Sequence, residues 1–262
     1  METNNFPPEI RRFLSGAELY DSSCSEFAKV FRVEKGNGYF LKIADKGRLA
    51  NEAVMYKYFH SKGLSAGVAE YISAEKDYML TERVAGKDCR YPGYLAEPEL
   101  LCETLAENML SLHSLDYDGC PLQNKNLDIL SIAEKEYAKG GRTQLFDESG
   151  FADAHEAYEY LKWNFGTLRN GSLIHGDFCL PNIMLEDFKF TGYIDLDLGG
   201  VGDRHWDIFW CAWSVWFNIG FTESSTPSKQ AKYREYFLDC YGRGNIDGER
   251  LRLCAILASF IS

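Results

Sequence analysis

The chain has 262 residues, of which 45% are hydrophobic and 15% aromatic, and it carries a net charge of −11. This composition supports a sizeable core and excludes an intrinsically disordered or low-complexity protein. An acidic chain repels phosphate backbones and anionic lipids, so we expect no nucleic-acid partner and no membrane partner. Residues 1–86 carry no net charge, and the whole excess lies in residues 87–262. A charge distribution of this kind is compatible with a cationic substrate.

The cysteines and the chain start together indicate a cytoplasmic protein. The eight cysteines are scattered, without the close pairs of a zinc or thioredoxin-like motif, so we expect mostly buried free thiols. The first residues lack the basic and apolar segments of a secretory signal. The most apolar stretch, residues 208–217, is too short to span a bilayer, which needs about 20 residues.

The first third of the sequence predicts an antiparallel sheet with one helix. The Gly- and Asn-containing residues 34–38 favour a hairpin turn between two apolar segments. Apolar residues then recur at helical spacing over residues 48–60. The predicted strands are residues 28–33, 39–43, 68–72 and 78–81.

The remainder of the sequence predicts mainly helices. The predicted helices are residues 97–113, 152–163, 206–219, 229–241 and 249–260, and short strands are expected at residues 172–174, 183–185 and 190–194. The fold class is therefore α+β, with a small sheet-containing lobe followed by a larger, mainly helical lobe. Ligand sites favour the cleft between two such lobes.

Three oxygen-bearing side chains, Asp177, Asn182 and Asp195, mark the chemistry of the larger lobe. The residues between Asn182 and Asp195 are expected to form a hairpin, which brings these two side chains to one site. An amide and a carboxylate suit Mg²⁺, which completes its shell with water and phosphate oxygens. A further carboxylate beside such a metal can accept a hydroxyl proton, as in phosphoryl transfer from a nucleoside triphosphate.

Two segments give the sequence a family resemblance. Residues 175–182 read HGDFCLPN and residues 201–208 read VGDRHWDI. In order and spacing they resemble the aminoglycoside phosphotransferases, and especially the 3′-phosphotransferase branch that acts on kanamycin and neomycin. The resemblance implies a bilobal, protein-kinase-like fold with a nucleotide-binding lobe at residues 1–86 and a catalytic and substrate-binding lobe at residues 87–262. The small lobe would contain the antiparallel sheet and one helix.

The resemblance also implies roles for the residues of the large lobe. Asp177 is similar to the catalytic base of the family, which orients the substrate hydroxyl and accepts its proton. Asn182 and Asp195 resemble the two magnesium ligands. His175 and Asp207 are expected to hold the catalytic loop by hydrogen bonds rather than to react.

Four residues of the small lobe resemble nucleotide-binding positions. Lys42 is similar to the lysine that contacts the α- and β-phosphates, and Glu52 to its ion-pair partner. A Gly-rich phosphate loop is absent from the sequence. Ser25, with Ser23 as an alternative, stands where the family places a serine against phosphate.

The adenine site is expected between the lobes. Phe40 is a candidate for stacking on the base, although a role as a core aromatic is equally compatible with its pattern. Residues 81–84, including Thr81 and Arg83, would form the hinge whose backbone contacts the base. The resemblance implies ATP or GTP, together with Mg²⁺.

Aminoglycosides are polycations, so an acidic substrate site is expected. Asp147, Glu148 and Asp153 are the candidates before and at the start of the helix that precedes the catalytic loop. Relatives also use the chain terminus, which here offers only the α-carboxylate of Ser262.

The 3′ branch usually carries Gly and Arg where this chain has Asp197 and Leu198. This departure leaves the phosphoryl-transfer residues intact and bears on which antibiotic is bound.

The sequence therefore predicts an ATP-dependent aminoglycoside 3′-phosphotransferase that confers resistance and acts as a monomer or weak dimer. One alternative is a kinase of another small hydroxyl compound, such as a macrolide, choline or a sugar amine. A second alternative, a nucleotide-binding pseudokinase, would be expected to lack Asp177, Asn182, Asp195 or Lys42, and all four are present.

Overall fold

The computed structural model describes residues 6–24, 27–140 and 144–261. Its N-terminal elements are α1 (Pro8–Leu14), β1 (Glu18–Asp21), β2 (Ala28–Glu34), β3 (Tyr39–Asp45), α2 (Ala50–Ser61), β4 (Val68–Ser73) and β5 (Lys76–Glu82). The next elements are β6 (Lys87–Asp88), α3 (Pro92–Leu95), α4 (Pro98–Ser114), α5 (Lys125–Ala138), α6 (Ala154–Asn164) and β7 (Ser172–Ile174). The last are β8 (Ile183–Glu186), β9 (Lys189–Tyr193), β10 (Gly200–Gly202), α7 (Arg204–Ile219), α8 (Pro227–Tyr241) and α9 (Gly248–Ile261).

The five N-terminal strands form one antiparallel sheet in the order β1-β2-β3-β5-β4. Because side chains alternate along a strand, Leu41 of β3 faces one side of the sheet while its neighbour Lys42 faces the other. On the first side, Leu41 packs in a cluster with Ile10 and Leu14 of α1. The opposite side carries Ala44 and packs with residues of α2, including Met55. The sheet therefore directs Lys42 towards the rest of the molecule.

The chain leaves the sheet through a segment that ends at Gly86. Gly86 has a φ of 87°, and a Cβ atom there would lie 2.0 Å from the carbonyl oxygen of Leu185. This approach lets β6 pair with β8, with Lys87 opposite Leu185. The boundary predicted between residues 86 and 87 lies at this crossing and stays a prediction.

Two groups of helices build the remainder of the molecule. Helix α8 packs against α4 and α7, and helix α9 packs against α5, α6 and α7. Helix α7 is buried on two sides because it has apolar side chains on most of its faces. No helix in the described part of the chain combines the length and apolar character needed to cross a membrane.

Each helix and strand expected from the sequence is present, with ends that agree within two residues. Elements without a sequence prediction include α1, α5, β1 and β10. Helix α1 is only seven residues long, and its two buried residues give too short a pattern to recognise. Six of the eight cysteines are buried free thiols, which confirms the expectation made for them.

Candidate active site

The loop after β7 begins with a backbone turn that only glycine tolerates. Gly176 has a φ of 86°, and a Cβ atom at this position would lie 2.1 Å from the carbonyl oxygen of Leu198. L-residues rarely adopt this conformation, and the close backbone contact excludes any side chain. The turn directs the chain from the buried strand β7 into the loop that carries Asp177.

Helix α7 holds this loop from below. The buried carboxylate of Asp207 accepts the backbone N–H groups of His175 at 2.8 Å and Gly176 at 2.9 Å. His113 lies 3.2 Å from the same carboxylate through Nε2. The indole Nε1 of Trp206 donates to the carbonyl of Gly176 at 2.6 Å. Asp207 therefore holds the loop in place, and its carboxylate is occupied by these hydrogen bonds.

The ring of His175 is used by two hydrogen bonds to the backbone. Its Nδ1 accepts the N–H of Asp177 at 3.2 Å, and its Nε2 lies 3.1 Å from the carbonyl of Ile194. The first bond assigns the proton to Nε2, which then donates to Ile194. His175 thus ties the catalytic loop to the end of β9, which agrees with the structural role expected for it.

Asp177 and Asn182 are in direct contact. The amide Nδ2 of Asn182 donates to Oδ2 of Asp177 at 2.8 Å and to its backbone carbonyl at 3.0 Å. Burial raises the pKa of Asp177, and the hydrogen bond from Asn182 opposes this shift only in part. A carboxylate with a raised pKa accepts a hydroxyl proton more readily than an ordinary surface carboxylate.

Strands β8 and β9 form the predicted hairpin and bring its two ends together. Ile183 lies opposite Tyr193, and the N–H of Ile194 donates to the carbonyl of Asn182 at 3.0 Å. Asp195 follows directly with a φ of 60°, in the left-handed region. Its N–H donates to the hydroxyl of Tyr56 at 3.1 Å. This geometry projects the Asp195 side chain from the hairpin end towards the small lobe.

Lys42 joins the two parts of the molecule. Its Nζ lies 2.8 Å from Oε2 of Glu52 and 2.9 Å from Oδ1 of Asp195. Burial lowers the pKa of Lys42, but the two carboxylates outweigh it and raise the pKa, so the ammonium stays charged. Burial raises the pKa of Glu52 to about 7, against the opposite effect of Lys42. The structure thus brings together three residues that the sequence placed in one site.

The donor set near the hairpin end suits a hard cation. Because Nδ2 of Asn182 is used by Asp177, its Oδ1 remains as the oxygen donor. Asp195 offers a carboxylate that is 48% exposed. One amide oxygen and one carboxylate are ligands that Mg²⁺ accepts when phosphate oxygens and water complete the shell.

The candidate adenine-site residues lie on or beside β3 and β5. Phe40 is half-buried on the same face of β3 as Lys42, opposite Thr81 in the register. Thr81 is buried and Arg83 is exposed. The N–H of Arg83 already donates to the carbonyl of Gly38 at 3.1 Å, so this hinge donor is used within the small lobe.

The candidate phosphate-loop serines are only partly described. Ser25 lies outside the described residues. Ser23 accepts the N–H of Val30 at 3.0 Å through Oγ. This bond ties Ser23 to strand β2.

The acidic residues expected to contact substrate have structural partners or are exposed. Glu148 pairs with Arg234 at 2.8 Å, and Asp153 caps α6 by accepting the N–H of Glu156 at 2.9 Å. Asp147 is exposed, and Ser262 lies outside the described residues. Substrate contact by these four residues stays a prediction.

A cavity of about 450 Å³ opens beside Asp177, and Lys42 is not among its lining residues. Its wall includes Trp210, Trp213 and Phe217 of α7, together with Arg90. Sequence reasoning predicted the helix but assigned no role to its aromatic residues. The spacing of these aromatic residues places them on one face of the helix, and this was the signal that the sequence offered. That this face borders a cavity becomes clear only from the packing of α7 against the loop that carries Asp177.

Comparisons with known proteins agree with this geometry. Residues 22–253 match the model of the phosphotransferase enzyme family. The chain is 40% identical over 250 residues to a probable aminoglycoside 3′-phosphotransferase of Lactococcus lactis, covering 95% of this chain and 92% of the relative. It is 28% identical to an aminoglycoside 3′-phosphotransferase of Niallia circulans, covering 98% of each chain.

Solved structures show the same fold. A type VIII aminoglycoside-3′-phosphotransferase superposes with a TM-score of 0.73 at 24% identity, covering 97% of this chain and 100% of that one. The family match begins after β1 and spans strands β2 to β5 of the sheet, the loop that carries Asp177 and the hairpin that leads to Asp195. The chain therefore belongs to the phosphotransferase enzyme family, as a kinase-like enzyme related to the aminoglycoside 3′-phosphotransferases.

Proposed function

We propose that this enzyme transfers the γ-phosphoryl group of ATP or GTP to the 3′-hydroxyl of an aminoglycoside of the kanamycin or neomycin type, and so confers resistance. The observation that carries the proposal is a chain of contacts: Asp177 lines a cavity of about 450 Å³ and contacts Asn182, and Asp195, at the other end of the hairpin that begins after Asn182, pairs with Lys42. The relative of Lactococcus lactis, matched over nearly its whole length, bears the name of this activity and supports the choice of acceptor.

The proposed reaction is a direct, in-line displacement. The acceptor hydroxyl donates its hydrogen bond to the carboxylate of Asp177, and its oxygen attacks the γ-phosphorus. The bond from that phosphorus to the bridging oxygen breaks, the nucleoside diphosphate leaves, and Asp177 takes the hydroxyl proton. Lys42, held by Glu52, neutralises charge on the phosphates. Positioning and electrostatic stabilisation supply most of the rate increase in such reactions.

A magnesium ion would be held by Asn182 through Oδ1 and by Asp195 through its carboxylate. When bound, the ion neutralises the phosphate oxygens and aligns the leaving group. Asp195 also contacts Lys42, whose Nζ lies 2.9 Å from its Oδ1. Removal of divalent cations with EDTA should therefore abolish turnover, and added Mg²⁺ should restore it.

The two lobes would divide the substrates between them. Residues 1–86, which carry no net charge, would bind the nucleotide with Phe40, Thr81, Arg83 and Ser25. Residues 87–262, which carry the excess of negative charge, would bind the antibiotic. The acidic candidates in that part are Asp147, Glu148, Asp153 and Ser262.

The test uses an acceptor pair that differs by one hydroxyl. ATP turnover should be measured with kanamycin B and with 3′-deoxykanamycin B. We expect turnover with the first and a loss of at least about 100-fold in kcat/KM with the second. Equal turnover of the two compounds would rule out the 3′-hydroxyl as acceptor.

A wider panel separates the alternative functions. Turnover only with a macrolide, choline or a sugar amine would identify a kinase of another small hydroxyl compound. ATP binding without turnover of any acceptor would identify a pseudokinase.

A further inference from the structure

The backbone of Asp195 has a conformation that its place in the chain does not require. Among the described residues other than glycine, Asp187, Phe188 and Asp195 have a positive φ. Asp187 and Phe188 form the two-residue turn between β8 and β9, where a hairpin favours left-handed backbone at both positions. Asp195 lies outside that turn with a φ of 60°. Such a conformation persists only where the surrounding structure holds it.

The peptide unit between Ile194 and Asp195 is held at both ends by side chains. Its carbonyl oxygen lies 3.1 Å from Nε2 of His175, and its N–H donates to the hydroxyl of Tyr56 at 3.1 Å. His175 belongs to the catalytic loop and Tyr56 to α2, so the two side chains come from different parts of the molecule. Because the orientation of this peptide plane determines the φ of Asp195, the two hydrogen bonds together hold the left-handed conformation.

The Tyr56 side chain is itself held firmly in the core. Tyr56 is 4% exposed and belongs to the hydrophobic cluster that also contains Leu196, the residue after Asp195. Phenylalanine at position 56 would keep this packing and remove only the hydroxyl. The effect of the hydroxyl can therefore be separated from that of the ring.

One face of α2 holds both charged groups of the proposed phosphate site. Glu52 and Tyr56 are one helical turn apart and lie on the same face of the helix. Glu52 contacts Lys42, whose Nζ lies 2.8 Å from its Oε2, and Tyr56 holds the backbone of Asp195. Nζ of Lys42 and Oδ1 of Asp195 are themselves 2.9 Å apart. The position of Lys42 relative to Asp195 is therefore set by a single helix.

We propose that Tyr56 is a positioning residue for Asp195, and that its hydroxyl holds the backbone conformation that directs the Asp195 carboxylate at a bound magnesium ion. The inference rests on the proposed function, because it concerns the residue that holds one of the proposed metal ligands. Tyr56 acts through the backbone of Asp195 and adds no charge to the site. Removing the hydroxyl should therefore weaken magnesium binding while leaving acceptor binding and metal-free nucleotide binding unchanged.

The test compares Tyr56→Phe with Tyr58→Phe, a matched control on the same helix. The Tyr58 hydroxyl donates to the backbone carbonyl of Asp118 at 3.3 Å. The control therefore also removes a hydroxyl that bonds from α2 to another segment, but that bond does not involve Asp195. Loss of one neutral hydrogen bond corresponds to a change of roughly 2- to 13-fold in an equilibrium constant, which sets the size of the expected effects.

The first measurement needs no metal and no nucleotide. Hydrogen exchange of the Asp195 amide, followed by NMR, reports directly on the bond to Tyr56. We expect this amide to exchange at least about threefold faster in Tyr56→Phe than in the wild type and at the wild-type rate in Tyr58→Phe. An unchanged exchange rate in Tyr56→Phe would overturn the proposal, because the hydroxyl would then not hold this peptide.

The second measurement separates the metal from the nucleotide. Calorimetry should give the affinity for ADP in EDTA and again in excess Mg²⁺. We expect Tyr56→Phe to bind ADP in EDTA within about twofold of the wild type, and the gain in affinity from Mg²⁺ to fall at least about threefold. An undiminished gain would overturn the proposal. An equal loss of ADP affinity with and without Mg²⁺ would also overturn it, since that result indicates a general structural effect.

Steady-state kinetics provides the third measurement. In Tyr56→Phe we expect kcat to fall at least about threefold and the apparent Mg²⁺ activation constant to rise, while the KM for kanamycin B stays within about twofold of the wild-type value. Tyr58→Phe should match the wild type in all three. A higher KM for kanamycin B at unchanged kcat would overturn the proposal, because it would assign Tyr56 to acceptor binding.

Failure of this inference can be distinguished from failure of the proposed function. If the wild-type enzyme phosphorylates kanamycin B and Tyr56→Phe behaves like the wild type, only the role of Tyr56 is wrong. If the wild-type enzyme phosphorylates no aminoglycoside, the proposed function fails. The amide exchange and ADP measurements need no acceptor, so they still decide whether Tyr56 positions Asp195.

Discussion

At the scale of single residues, Gly176 shows how one backbone position controls the site. Its φ of 86° and its contact with the backbone of Leu198 leave no space for a side chain. We expect Gly176→Ala to lose at least about 2 kcal/mol of unfolding free energy, because the loop must shift or strain. Gly171→Ala is the control, since a Cβ there meets no atom within 4 Å and Gly171 has no positive φ. Urea unfolding of both variants measures the difference, and equal stability would contradict this reading.

Asp177 is the residue whose loss should remove chemistry without removing binding. Asn is similar in shape, but it cannot accept the hydroxyl proton. We expect Asp177→Asn to lower kcat by at least about 100-fold while the KM for ATP changes little. Steady-state kinetics with ATP and kanamycin B measures both constants. Near-normal kcat would show that another group accepts the proton.

Sequence reasoning could assign these residues to one site because their spacing is part of the proposed chemistry. A loop and a hairpin set the intervals between Asp177, Asn182 and Asp195. Their spacing along the sequence therefore predicts that the three side chains lie close together in the folded protein. The aromatic residues Trp213 and Phe217 could not be assigned in the same way. Aromatic residues at helical spacing are typical of a core, and only the packed structure shows which helical face borders the cavity.

At the scale of elements, α7 is joined to two other segments, the loop at Arg169 and helix α9, through the carboxylate of Asp203. This side chain accepts hydrogen bonds from the ring and N–H of His205, from the N–H of Arg169 and from Nε of Arg250. Burial raises its pKa, but these donors outweigh burial and lower the pKa to about 2. The N-terminus of α7, and with it the catalytic loop above, is therefore fixed by an ionised aspartate.

This arrangement predicts a pH dependence of stability. The folded-state pKa of Asp203, about 2, lies below the ordinary value of about 3.9. The carboxylate therefore contributes stability above pH 4, on the order of 2–3 kcal/mol, which is lost as the pH falls towards 2. We expect Asp203→Asn to be less stable than wild type at pH 7 by about 3 kcal/mol or more, and this gap to narrow by about 1 kcal/mol at pH 3. Urea unfolding at the two pH values measures the gap, and a constant gap would contradict the prediction.

Helix α1 is an element that the sequence did not reveal, yet it closes the core of the small lobe. Ile10 is fully buried against the sheet face that carries Leu41, whereas its neighbour Glu9 is exposed. We expect Ile10→Ala to cost about 2–4 kcal/mol of unfolding free energy and Glu9→Ala to cost less than about 0.5 kcal/mol. Thermal unfolding with and without ATP provides the measurement. Equal melting temperatures for the two variants would show that α1 is not part of the cooperative unit.

At the scale of the whole molecule, the charge distribution along the sequence gives a broader prediction about substrate binding than the individual acidic residues do. The excess of negative charge lies in residues 87–262, but the acidic residues proposed for substrate contact are exposed or have partners within the protein. The cavity beside Asp177 has few charged groups of its own. We expect the field of the larger lobe as a whole to add to the attraction of a polycation, over distances of about 10 Å at 0.1 M salt.

Salt screens this field, and the screening should act in opposite directions on the KM values of the two substrates. Raising NaCl from 50 to 300 mM should increase the KM for kanamycin B at least threefold, because screening removes the attraction between the cation and the acidic lobe. The KM for ATP should stay constant or fall, because the same screening removes repulsion between the nucleotide and a chain of net charge −11. A KM for kanamycin B that does not change with salt would contradict this prediction.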